Sequence, residues 1–74
     1  MKQNIIRDGK EMIFFRTCSV TNELYIVSVK TKDYLDWKGG KLIQSAMNYL
    51  KPEEREFIKS NITPHEWDRM FEEL

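Results

Sequence analysis

Two runs of the chain, Glu11 to Val20 (EMIFFRTCSV) and Leu24 to Thr31 (LYIVSVKT), are dense in β-branched and aromatic residues and hold neither proline nor glycine. Such runs read as strands. The polar Thr21-Asn22-Glu23 between them has hairpin length, and Asn22 tolerates positive φ. Upstream, Asp8-Gly9 is a two-residue hairpin signal with Gln3 to Arg7 ahead of it. The pattern predicts a three-stranded antiparallel meander, with strands near residues 2–7, 10–20 and 24–31. In the third strand Tyr25, Val27 and Val29 share one face, while Leu24, Ile26, Ser28 and Lys30 share the other. In the second, Ile13 and Phe15 point one way, and Met12, Phe14, Cys18 and Val20 the other. Apolar residues therefore reach both faces of the sheet.

After residue 32 the signals turn helical. Asp33 to Lys38 reads as a short helix stopped by Gly39-Gly40, since glycine accepts the left-handed C-cap. Lys41 to Leu50 carries Leu42, Ile43, Ala46, Met47 and Leu50 at helical spacing. Pro52 suits the first position of a further helix, Glu53 and Glu54 suit its positive end, and Ser60-Asn61 ends it. Thr63-Pro64-His65-Glu66 is a full capping box, and Trp67, Met70, Phe71 and Leu74 then form an apolar stripe. The expected fold is α+β: a three-stranded antiparallel meander followed by three or four short helices packed on one face. One domain spans residues 1–74, with a strand-rich half (1–32) and a helical half (33–74).

Size sets the energetics. A chain of 74 residues buries only roughly 60–65% of its unfolded surface, for a stability on the order of 4–11 kcal/mol. Its 12% aromatic content supplies much of the burial. The single Cys18 permits no internal disulfide, which leads to the expectation of a reducing, cytoplasmic setting. No apolar run approaches ~18 residues, and Met1-Lys2-Gln3-Asn4 opens no signal-peptide core, so neither a membrane span nor export is expected.

The net charge of zero hides opposite halves. Residues 1–52 hold nine Lys/Arg against five Asp/Glu, a net of +4, and residues 53–74 hold three against seven, a net of −4. In the basic half Arg7, Lys10, Arg16, Lys30 and Lys32 are candidate nucleic-acid contacts, interleaved with aromatics as single-strand binders require. Against that stands the ordinary use of Lys and Arg to protect strand edges. Residues 52–74 imitate a helix-turn-helix, but the would-be reading helix carries Glu66, Asp68, Glu72 and Glu73 against Arg69, and phosphates repel it.

Catalytic chemistry finds little footing. Cys18 and His65 are the one nucleophile–base pair available, and a strand-interior cysteine is more commonly a buried small hydrophobe. No C-x-x-C, second histidine, Walker loop or dinucleotide fingerprint is present, so no cofactor, metal or small-molecule substrate is expected. The chain reads as a non-enzyme. Its apolar residues are more informative, because contiguous exposed apolar area on a sheet marks an association surface. If Tyr25, Val27, Val29 and one side of the second strand meet the helices, Phe14, Met12, Ile26 and Leu24 are left outward, or the reverse. Phe14, Arg16, Leu24 and Ile26 are the candidate partner contacts, for another protein or a second copy. The competing expectation is that Tyr34, Trp37 and the N-terminal residues fold over that face.

A longer pattern runs through the helical half. Tyr34…Trp37-Lys38-x-Gly40-x-Leu42-Ile43-Gln44-x-Ala46, then Leu50-x-x-Glu53-Glu54-Arg55-Glu56, then Ile62-x-Pro64-x-x-Trp67-Asp68-x-Met70-Phe71, resembles small uncharacterised proteins of phage and prophage genomes. The resemblance covers about half the chain. It carries no activity and no assigned residues. It implies a setting, a host bacterial cytoplasm, and a role as an accessory or regulatory protein that binds a partner.

Overall fold

The computed structural model describes residues 4–72. Three strands, β1 (Asn4–Asp8), β2 (Glu11–Thr17) and β3 (Leu24–Lys30), form one antiparallel sheet in the order β1-β2-β3. Four short helices follow: α1 (Thr31–Lys38), α2 (Ile43–Ala46), α3 (Pro52–Ser60) and α4 (Pro64–Glu72). This is the expected α+β arrangement. Residues 2 and 3 of the anticipated first strand, and Leu74 of the terminal stripe, lie outside the described residues.

Register decides which side chains meet. Phe14 lies opposite Val27, Met12 opposite Val29 and Arg16 opposite Tyr25, and facing residues of an antiparallel pair share a side of the sheet. Met12, Phe14, Val27 and Val29 therefore form one layer, closed from above by Ala46, Met47, Phe57 and Ile58. Phe14, Met47 and Phe57 are almost wholly buried. Tyr34 tilts against Phe14 with ring centres 5.4 Å apart, and Tyr25 meets Phe57 edge-on at 4.9 Å. Aromatic side chains thus supply much of this thin core, as the composition requires.

Helix ends follow their local chemistry closely. Asn61 takes φ 67° at the α3 C-cap, the left-handed geometry that ends a helix without glycine. In α4 the capping box is complete: Glu66 accepts the Thr63 N–H at 2.9 Å, and the Thr63 hydroxyl accepts the Glu66 N–H at 3.3 Å. At the start of α3, Glu54 accepts the Lys51 N–H at 2.8 Å, which substitutes for the small polar cap that Lys51 does not supply.

Several elements depart from the sequence pattern, each for a tertiary reason. Strand β2 ends at Thr17 rather than near residue 20. Beyond it Cys18 N–H donates to Glu23 O and Asn22 N–H to Cys18 O, closing a longer loop in which Asn22 adopts φ 62°. Helix α1 starts at Thr31, with no connector after β3. The expected helix over 41–50 contracts to Ile43–Ala46. There the Arg55 guanidinium donates to the carbonyls of Met47 (3.3 Å) and Leu50 (2.6 Å), and Lys30 N–H donates to the Tyr49 hydroxyl at 3.0 Å. Those bonds satisfy the segment outside a helix.

Candidate functional site

Among the described residues the face of the sheet away from the helices stays open, and residues 1–3 of the N-terminal segment expected to fold over it lie outside them. Opposed pairs Ile6 with Ile13 and Phe15 with Ile26 point to this side, and Leu24 opposite Thr17 extends the row. Ile6, Leu24 and Ile26 are each at least half exposed, while Ile13 and Phe15 are partly sheltered by their neighbours. Over most of its length this face is uncharged. Asp8, Glu11 and Lys30 gather at one end, where the register sets the three side by side. Tyr34 and Trp37 do not cover it; both pack against the buried core on the opposite side.

The four candidate partner contacts divide accordingly. Leu24 and Ile26 lie on the open face. Phe14 and Arg16 do not: both are buried beneath the helical layer, at 1% and 6% exposure. The physical reason is the register, which pairs Phe14 with Val27 rather than with Ile26 and so places odd-numbered β2 residues outward. Ile13 and Phe15 occupy the positions that had been expected for Phe14 and Arg16. The alternation within each strand was readable, but the pairing between strands depends on where the loop begins.

Arg16 has a structural task instead. Its guanidinium donates to the Asn61 carbonyl (Nε, 3.2 Å) and the Thr17 carbonyl (Nη1, 3.1 Å), and forms an ion pair through Nη2 with Glu66. Glu66 also accepts from the Ser19 N–H at 2.9 Å and the Ser19 hydroxyl at 2.6 Å. Burial pushes its carboxyl up, but donors from Ser19, Thr63 and Arg16 outweigh that and hold the pKa down at about 2. A carboxylate with four donors is a fastener. It ties the end of β2 to the start of α4.

Cys18 sits beside this fastener, with Sγ 3.0 Å from the Thr63 hydroxyl and 2% exposure. Burial raises its thiol pKa, while hydrogen bonds from Thr63, Thr21 and Val20 lower it further, leaving it below the ordinary value. Cys18 and His65 both line a depression of about 160 Å³. The thiol's hydrogen-bonding contact is with Thr63. Among the described residues no group of three or more His, Cys, Asp or Glu is placed to hold a metal ion, and no helix is long and apolar enough to cross a membrane.

The basic candidates also divide. Arg7 is exposed on β1, and Arg16 is taken by Glu66. Lys10, from the β1–β2 turn, and Lys30 and Lys32, from the β3–α1 junction, surround one depression where that turn meets the start of α1. Helix α4 leaves Met70 and Phe71 exposed, so its apolar stripe is not docked on the sheet. Trp67 and Phe71 stack on each other with ring centres 6.0 Å apart. Comparison with known protein families, curated proteins and solved structures finds no match to this chain.

Proposed function

We propose that this chain acts by association rather than by catalysis, as a small accessory or regulatory protein whose open sheet face binds another protein surface, in the first instance that of a second copy. The resemblance to small phage and prophage proteins supplies the setting for such a role. The observation that carries the reading is the row Ile6, Ile13, Phe15, Leu24 and Ile26, apolar and uncovered among the described residues. A protein this small has few large apolar side chains to spare, and a contiguous exposed group of them favours a partner.

Charge placement favours the second copy. A two-fold axis running along β2 sets β1 of one copy over β3 of the other. Asp8 then faces Lys30 of the second copy, twice by symmetry, while Phe15 and Ile13 meet their own counterparts at the centre. Glu11 meets its counterpart at the solvated rim, where like charges cost least.

Light scattering coupled to size exclusion tests this. The expected result is a dimer mass that rises with concentration and reverts to 8.9 kDa in the Ile26→Asp variant with its fold unchanged. A monomer at millimolar concentration removes self-association through this face.

A further inference from the structure

The end of the sheet remote from the Arg16–Glu66 pair carries a second feature, which shares Glu11 and Lys30 with the rim of the open face. Here the β1–β2 turn and the β3–α1 junction are stitched together, with Thr31 N–H donating to the Lys10 carbonyl at 2.9 Å. The chain leaves β3 in extended geometry at Lys30 and enters α1 directly, and no side chain caps the helix. The Thr31 N–H is taken by Lys10 and Asp33 stands in the first turn, but the N–H groups that follow and the helix dipole make such an end favourable to anions.

Two further observations point to a ligand there. Thr31, the first residue of α1, is only 8% exposed, and its hydroxyl oxygen is buried with no hydrogen-bond partner. A buried hydroxyl left unsatisfied is costly, about 1–3 kcal/mol. Thr31 also lines a depression of about 600 Å³, a size suited to a small molecule. The same depression is rimmed by Lys10, Lys30 and Lys32 against the single acid Glu11, with Leu35 contributing apolar surface. Lys30 is also held near Tyr49, its Nζ 5.9 Å from the ring centre.

We propose that this depression binds a small phosphomonoester. Its phosphate lies at the α1 N-terminus among Lys10, Lys30 and Lys32, and its apolar body rests on Leu35 and the lysine stems. The Thr31 hydroxyl donates to the phosphate after a χ1 change between the two rotamers open to a helical threonine. Three lysines around one cavity suit a single multiply charged group better than a nucleic-acid strand, which needs a track of positive positions. Arg16, committed to Glu66, leaves no such track on that side of the sheet.

The test is an NMR amide titration of the full chain with three probes: inorganic phosphate, phenyl phosphate and a ten-residue oligothymidylate. Phenyl phosphate is expected to saturate, with shifts centred on Lys10, Thr31, Lys32 and Leu35, and to bind about tenfold more tightly than inorganic phosphate, the apolar body adding a contact free phosphate lacks. Thr31→Val, which removes a polar atom the free fold leaves unsatisfied, is expected to keep the thermal midpoint and weaken phenyl phosphate about tenfold. Lys32→Gln is expected to weaken it as well. Unsaturable shifts spread equally over Lys41 and Lys59 overturn the site, as does unchanged binding by Thr31→Val. Oligothymidylate binding that outcompetes phenyl phosphate and extends to Arg7 and Lys38 overturns the small-ligand assignment.

Discussion

Glu66, at the third position of α4, forms an ion pair with the buried guanidinium of Arg16, fifty residues earlier in β2. One carboxylate thereby caps its own helix through Thr63, holds the loop after β2 through Ser19, and neutralises a charge placed beneath the helical layer. Removing either partner strands the other in a poorly hydrated site. Arg16→Ala is expected to cost about 3–5 kcal/mol, a large part of the stability of a chain this size. Urea unfolding checks it, and a loss under about 1 kcal/mol, the range of an exposed pair, refutes the fastener.

Acid should loosen the same contact. Glu66 titrates at about 2 in the fold, against an ordinary value of 4.5. A pKa lowered by folding gives stability that is complete above the ordinary value and is lost as pH falls towards the folded value. The loss spans about pH 5.5 down to pH 2 and amounts to about 3 kcal/mol at its end. Urea unfolding at stepped pH is expected to show this slope in the native chain and a shallower one in Glu66→Gln. Identical slopes in the two exclude Glu66 as the origin.

Neighbouring residues of β2 should behave oppositely. Phe14→Ala removes a ring 1% exposed between Val27 and Tyr34, and is expected to destabilise by about 3–5 kcal/mol. Phe15→Ala, on the open face, is expected to cost the monomer about 1 kcal/mol and to weaken self-association instead. Chemical denaturation and light scattering on the two variants separate the effects. Equal destabilisation by both contradicts an open face.

What was legible in the sequence was local. The two glycine-free β runs, the first hairpin, Asn22 at positive φ, Pro52 opening α3 and the Thr63–Glu66 box each depend on residues close in the chain, and each is present. The first turn falls one residue later than expected, at Gly9-Lys10, because Asp8 pairs with Glu11. What was not legible depended on contacts across the chain. The pairing of Phe14 with Val27 follows from a loop that begins at Cys18, and that loop is drawn out by Glu66 and Thr63 from the far end of the chain. Arg16 reads as an exposed strand cation until its partner, fifty residues on, is known. One signal was available: Arg16 shares its strand face with Met12 and Phe14, where a charge needs a buried counter-ion.

Cys18 reports on how firmly α4 is held. Its thiol lies against Thr63, directly before the helix, and is 2% exposed, so a thiol reagent reaches it only when this contact opens. Reaction with a disulfide reagent at neutral pH is therefore expected to be slow in the native chain, set by opening rather than by reagent chemistry. Glu66→Gln weakens the hydrogen bonds to Arg16 and Ser19 without touching the thiol. If it makes opening about 1–2 kcal/mol easier, the rate rises about five- to thirtyfold. Phe71→Ala, at the exposed far end of the same helix, is expected to leave the rate unchanged. Equal acceleration by both variants would show that the whole helix detaches as a unit, and that the Arg16–Glu66 contact is not what keeps its first turn on the sheet.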